Sequence, residues 1–181
     1  MPRKPATTRE EMIEGAFQLV RREGHEAFTA RNIAKELGCS TQPLMYRFPS
    51  LSELKELVYA RADQFHTAYI LDAPDFLHTG LRYIQFAKEE TPLFRFLFQS
   101  GHFRGLALGD MVRDPGVSPV VNAAAAELGI PEQELFTVFE TLYVTVHGYA
   151  DLIANNAMEY DPADMEKNLM RIAEGMLGKE G

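Results

Sequence analysis

One cysteine in 181 residues, Cys39, excludes an internal disulfide. No run of apolar residues reaches the length needed to span a bilayer, and the opening Met-Pro-Arg-Lys is not followed by the apolar core of a secretory signal. The expectation is therefore a soluble, cytoplasmic protein without a membrane partner. The chain also lacks HExxH, a glycine-lysine phosphate loop and GxSxG, so the common hydrolase and nucleotide-binding signatures are absent. Five histidines still permit pairs on one helix face, His147/Asp151 and Asp63/His66, compatible with a metal or acid-base site. A small all-α enzyme or metal-binding protein thus stands as the competing class. Such pairs are common by chance, and no metal, cofactor or catalytic residue is expected from them.

What is present is a chain with enough apolar content, 46%, to bury a real core, and a net charge of −8 that is unevenly spread. Residues 1–50 carry eight Lys/Arg against six Asp/Glu, a net +2. The remaining ten cations face twenty carboxylates, a net −10. Such a division places a favourable phosphate term at one end and repels a polyanion from the other. Arg3 and Lys4 lie in a proline-containing arm that can serve either as a phosphate or minor-groove contact or as an ordinary solvated terminus.

The most specific stretch is 29–48, TARNIAKELGCSTQPLMYRF. Ile33, Ala34 and Leu37 have the spacing of an inward helical face, with Ala34 small enough for a second helix to cross closely. Gly38 supplies the turn, Cys39 plugs the corner, and Ser40 is expected to N-cap a helix beginning at Thr41. Pro43 is tolerable there because its missing N–H would have had no intrahelical partner. Leu44 turns inward. Thr41 and Gln42 stand at the exposed start and Tyr46 and Arg47 near the far end, a placement that suits base edges and phosphates respectively. A preceding helix capped by Thr7 or Thr8 carries Met12, Ile13, Ala16, Phe17, Leu19 and Val20 inward and ends near Gly24. After Phe48-Pro49-Ser50 another helix carries Leu54, Leu57 and Val58. Together these describe a helix-turn-helix unit, a double-stranded DNA reader; a helical hairpin without a DNA partner is the alternative.

On these residues, 7–59 resembles the DNA-binding domain of the tetracycline-repressor (TetR) family. The resemblance is carried by Ala16-Phe17, Gly24, Phe28-Thr29, Ile33-Ala34, Leu37-Gly38-Cys39-Ser40, Leu44, Tyr46-Arg47-Phe48 and Leu54, and more narrowly by a recognition helix beginning Ser-Thr-Gln-Pro. It implies DNA contacts from Thr29, Arg31, Ser40, Thr41, Tyr46 and Arg47. The family often has Lys where Leu51 stands here, so Lys55, one turn on, is the expected substitute, and Gln42 is a candidate for its own adenine-reading chemistry.

No segment beyond residue 50 reads as sheet. Helices are expected over 51–69, from the Ala73-Pro74-Asp75 break to 90, over 92–99, 118–128 and 131–158, and from Asp161-Pro162 to 177, with an irregular glycine-rich region between 101 and 116. The fold class is all-α, divided as 1–50 for DNA and 51–181 for effector binding and dimerisation. Residues 142–152, LYVTVHGYADL, resemble the regulatory domain of a TetR subgroup through Tyr143, His147 and Gly148. Glycine in mid-helix costs roughly 1 kcal/mol relative to alanine, so Gly148 suggests a close backbone approach, a subunit interface or a bend. His147 can contact a ligand, titrate, or be a satisfied buried histidine.

Aromatic residues concentrate at Phe65, Tyr69, Phe76, Tyr83, Phe86, Phe94, Phe96, Phe98 and Phe103, near Met111. Most must be core. An apolar cavity lined by Phe65, Tyr69, Phe86, Phe98 and Tyr143, with Gln99, His102 and His147 as polar groups, would hold a small apolar or aromatic effector of unspecified identity. The apolar residues of the last two helices, Leu135, Val138, Phe139, Leu142, Val146, Leu152, Ile153, Leu169, Ile172 and Met176, point to a homodimer through a four-helix interface. The whole reads as a DNA-binding transcriptional regulator, and on the resemblance a repressor.

Overall fold

The structure is a computed structural model that describes residues 8–101, 121, 126, 129, 132–176 and 178, with side chains left out at 132–135. The N-terminal arm, the helix expected over 118–128, the cap at Pro131, and His102, Phe103 and Met111 lie wholly or largely outside those residues. Eight α-helices and no strands occupy the described part: α1 (Arg9–Glu23), α2 (Ala30–Glu36), α3 (Thr41–Arg47), α4 (Leu51–Leu71), α5 (Phe76–Glu89), α6 (Thr91–Gln99), α7 (Glu132–Ala154) and α8 (Pro162–Met176). A single 3-10 turn, His25–Ala27, joins α1 to α2.

The chain divides into two compact units, Met1–Phe65 with Pro92–His102, and His66–Thr91 with Phe103–Gly181. The first unit thus runs past residue 50 into α4 and takes in α6. Helix α6 is so rich in large apolar side chains that Leu93, Phe94, Phe96 and Leu97 are all buried completely. In this unit Phe96 lies against Phe28 and Tyr59, and the Tyr59 hydroxyl donates to the Leu97 carbonyl at 3.2 Å.

Local signals set the helix limits. Thr8, the second of the two expected candidates, caps α1 reciprocally: its hydroxyl accepts from Glu11 N at 3.1 Å while its own N–H donates to the Glu11 carboxylate at 2.7 Å. Asp75 accepts from His78 N to start α5, and Asp161 accepts from Ala163 N and Asp164 N to start α8. Helix α7 stops at Ala154, short of the expected 158. Asn156 adopts φ +56°, and the bonds from Ala157 N to Leu152 O and from Asn156 N to Ile153 O close a Schellman turn, which an asparagine tolerates better than most residues.

In the second unit α5 packs on α7, and α8 packs on both. A Cβ added at Gly80 of α5 would stand 3.2 Å from Val146 of α7 and 3.8 Å from Leu169 of α8, so Gly80 is where helices meet closely. At Gly148 an added Cβ would meet nothing within 4 Å among the described residues. A second correction concerns the surface offered for dimerisation. Val138, Phe139, Leu142, Val146, Ile153 and Leu169 are buried inside the chain, because they form the face that α7 and α8 turn to α5 and to each other. The large apolar side chains left exposed on these helices are Val144, Leu152, Met170 and Met176.

Candidate nucleic-acid interface and a buried tyrosine-histidine cluster

The α2–α3 turn has the expected construction. Gly38 takes φ +62°, a left-handed conformation that glycine adopts without a Cβ penalty. Cys39 N donates to Ala34 O at 2.9 Å and Gly38 N to Lys35 O at 3.1 Å, so the end of α2 is closed by a Schellman turn with half-buried Cys39 at its corner. Ile33, Ala34 and Leu44 are buried, locking α2 and α3 against α1. Gly15 of α1 makes room for this: a Cβ there would stand 2.6 Å from Leu37 Cδ2. Arg22 at the end of α1 grips Glu36 with two nitrogens, at 3.2 and 2.8 Å, and Arg9 spans from the Phe48 ring to Glu53. These two arginines hold helices together.

Ser40 occupies the N-cap of α3 but its side chain makes no cap hydrogen bond, contrary to expectation. The reason is Pro43. It occupies the third helical position, so the N–H that a serine cap most often binds is missing. The Ser40 hydroxyl is consequently left for an outside partner. Thr29 caps α2 instead, its oxygen accepting from Asn32 N at 3.2 Å, which leaves the hydroxyl proton to donate elsewhere.

Around the single inward residue Leu44, the rest of α3 faces outward. Thr41, Gln42, Pro43, Met45, Tyr46 and Arg47 are all exposed, Tyr46 to 91%. Arg31 at the start of α2 is exposed as well, and Lys55 on α4 is half exposed. Among the described residues Arg31, Lys35, Arg47 and Lys55 have no carboxylate within ion-pair distance, whereas Arg9, Arg22 and Arg61 are each paired. The unpaired cations and the exposed face of α3 belong to one short stretch of chain. Two members of this surface escaped the sequence reading. Lys35 falls in the last turn of α2, and Met45 stands three residues after Gln42; a helical wheel centred on Leu44 would have put Met45 outside.

The residues expected to line an effector cavity fall in both units. Phe65, Phe98 and Gln99 belong to the first, where Phe65 lies between Phe17 and the Arg21 guanidinium, Phe98 lies against Phe94, and Gln99 is exposed. Tyr69, Phe86, Tyr143 and His147 belong to the second. Phe86 is completely buried, edge-on to Tyr69 and to His66. The Tyr69 hydroxyl donates to Glu89 at 2.7 Å; partial burial and this carboxylate push its ionisation well above the ordinary tyrosine range and keep it a donor.

A second cluster is built on helical spacing. Phe139, Tyr143 and His147 stand four residues apart on α7 and their rings stack in series, with centroids 6.3 and 5.8 Å apart. Tyr83 of α5 closes the row with its hydroxyl 2.8 Å from His147 Nδ1. The Tyr83 hydroxyl donates to Nδ1 in the Nε2–H tautomer and accepts from it in the Nδ1–H tautomer, and burial favours the neutral imidazole by lowering the His147 pKa against the opposing charge of Asp151. Burial likewise raises Tyr143. His66, edge-on to Tyr83 and Phe86, is buried so fully that its pKa falls to about 3. The sequence reading names His66 only as a possible partner of Asp63, Tyr83 only among the aromatics and Phe139 only as an assembly residue, though the four-residue ring spacing on α7 is legible. As for metals, no three His, Cys, Asp or Glu side chains converge among the described residues, and no described helix is long and apolar enough to cross a membrane.

No protein-family model and no curated protein sequence matches this chain. Among solved structures it is similar to a TetR transcriptional regulator from Rhodococcus sp. RHA1, at 19% identity over 94% of each chain with a TM-score of 0.54. It also matches AmtR of Mycobacterium smegmatis, at 16% identity over 98% of each chain with a TM-score of 0.34. Of these two, the first bears on architecture: the all-α fold of this chain, with its N-terminal helix-turn-helix, is similar to that of a TetR transcriptional regulator.

Proposed function

We propose that the protein is a TetR-like DNA-binding transcriptional regulator, a repressor released from a palindromic operator by a small apolar or aromatic effector. The observation that carries this reading is the surface around α3, where six outward side chains, Tyr46 almost fully solvated and Arg47 among them, accompany Arg31, Lys35 and Lys55, and none of the four cations has a carboxylate partner among the described residues. Solvated, unpaired cations beside hydrogen-bonding side chains on a short stiff helix suit a polyanion whose major groove admits a helix. Residues 1–50 are assigned to DNA and 51–181 to control and assembly. One helix spans only a few base pairs, so useful specificity requires two copies on half-sites about one helical turn apart. For the pairing surface of the last two helices, Leu152 and Met176, nominated from the sequence and exposed, are joined by Val144 and Met170, while the buried residues drop out. For the effector, Tyr143 and His147, with Tyr69 and Phe86 of the same unit, supply rings edged by a few polar atoms.

An effector acts only by binding the DNA-incompetent arrangement more tightly than the competent one, a coupling of about 1–3 kcal/mol in typical cases. Binding-site selection from random duplexes, followed by salt titration, tests the DNA reading. Gln42→Ala is expected to relax base preference, and Arg47→Ala to weaken binding to every sequence and lower the salt slope by about one. A wild-type protein that prefers no duplex over random DNA would overturn it.

A further inference from the structure

Met45 is 52% exposed and immediately precedes Tyr46 on a seven-residue helix, in a region otherwise surfaced with polar and cationic groups. Its position is fixed by the helix. Leu44 and Phe48, four residues apart, are buried at 1% and 2% and set the inward direction of α3. Counting 100° per residue from Leu44, Gln42 and Tyr46 point outward, and Met45 lies about 60° from Gln42 on the flank it shares with Thr41. Met45 is thus three residues after Gln42 and four after Thr41, the two spacings at which helical side chains are neighbours. About half of this flexible, unbranched thioether is open to solvent.

From this geometry we infer that Met45 is a specificity-determining residue that reads thymine through its C5-methyl group. The inference rests on the DNA reading of α3. In the major groove thymine is the base that presents an apolar group, and apolar side chains recognise it by contact. A polar side chain at 45 would add one more hydrogen-bonding group to a helix that already has Thr41 and Gln42. An apolar one adds a larger, unbranched methyl-reading surface than the single Thr41 methyl, and tests a feature that the Gln42 amide does not. Gln42 pairing with adenine and Met45 covering a neighbouring methyl give the helix two different chemical tests on adjacent steps. The side chain also reaches its contact without desolvating a charge, so the gain scales with the methyl surface covered.

The experiment replaces, one at a time, each thymine of the selected duplex with deoxyuridine, which removes only the methyl group. Affinities are measured for wild type, Met45→Ala and Gln42→Ala. At the ~0.8 kcal/mol of a buried CH₂, wild type should lose about fourfold at one thymine in each half-site. Met45→Ala should bind the thymine and deoxyuridine duplexes alike, whereas Gln42→Ala should keep the difference. Since Met45 is exposed, its variant should melt at the wild-type temperature. A wild type that selects a duplex yet is indifferent to every methyl overturns this inference alone, as does a Met45→Ala that keeps the full discrimination. If wild type selects no duplex at all, the DNA reading falls and Met45 falls with it.

Discussion

The stretch that bears α2 and α3 and the second compact unit use similar residues in opposite ways. In the first, Tyr46 and Met45 stand in solvent and four cations lack a carboxylate partner among the described residues; only Ile33, Ala34 and Leu44 of α2 and α3 are buried. In the second, Tyr83 and His66 are buried and Tyr143 and His147 are half-buried against neighbouring rings. Tyr83 and His147 satisfy each other at 2.8 Å, and His66 is enclosed by rings. An exposed aromatic or cation that makes no internal contact adds little to stability and is available to a partner. A buried polar group is costly unless bonded, so it specifies the packing around it. The two regions should therefore respond differently to mutation, and three measurements probe that contrast.

The largest effect belongs to the second unit. Phe86 has no exposed surface and contacts the rings of His66 and Tyr69, so Phe86→Ala should cost about 3–5 kcal/mol in denaturant unfolding. Tyr46→Ala, made at a side chain of similar size, should change stability by less than about 0.5 kcal/mol. Equal costs would erase the distinction between the regions.

Acid should act next, again through the buried ring. His66 stays neutral in the folded protein down to about pH 3, while the unfolded chain takes up the proton near 6.5. The unfolded state then binds more protons, and stability falls as pH drops from about 6.5 toward 3, by at most ~1.4 kcal/mol per pH unit from this group. His66→Leu should flatten that part of the profile. His147, shifted in the same direction, adds a smaller contribution of the same sign. A His66→Leu profile parallel to wild type would show that the ring is not sequestered.

The smallest effects come from two glycines with opposite expected signs. Gly38→Ala places a Cβ at φ +62° and should destabilise the α2–α3 turn by about 1–2 kcal/mol. Gly148→Ala meets nothing within 4 Å among the described residues and should gain up to ~1 kcal/mol of helix propensity in the folded chain. If Gly148→Ala instead weakens self-association in sedimentation, the open side of Gly148 is a subunit contact.

Much of the first region was legible because its determinants are local. Gly38 at the turn, Thr41 as the first residue of α3 and Thr8 as a cap follow from nearest neighbours, and the inward residues Ile33, Ala34 and Leu44 from simple periodicity. Even the miss at Ser40 was written there, since a proline three residues on removes the N–H that the cap would bind. The second region was less legible. Periodicity found α5, α7 and α8 but could not tell a residue that faces a neighbouring helix from one that faces solvent, so buried Phe139, Leu142 and Val146 were taken for a surface.

The sequence by itself determined an all-α chain, the helix limits set by Gly38, Asp75 and Asp161, a threonine cap on α1 at Thr7 or Thr8, and the outward chemistry of α3. Each depends on residues within one or two helical turns, where propensity and capping dominate. Tertiary structure decided that Gly80 is a close approach between helices, and that Tyr83, sixty-four residues before His147, is a hydrogen-bond partner of that histidine. It also decided that His66 is enclosed by the rings of Tyr83 and Phe86. These outcomes depend on which helix faces which, and that is set by packing between distant segments, for which a linear pattern has no term.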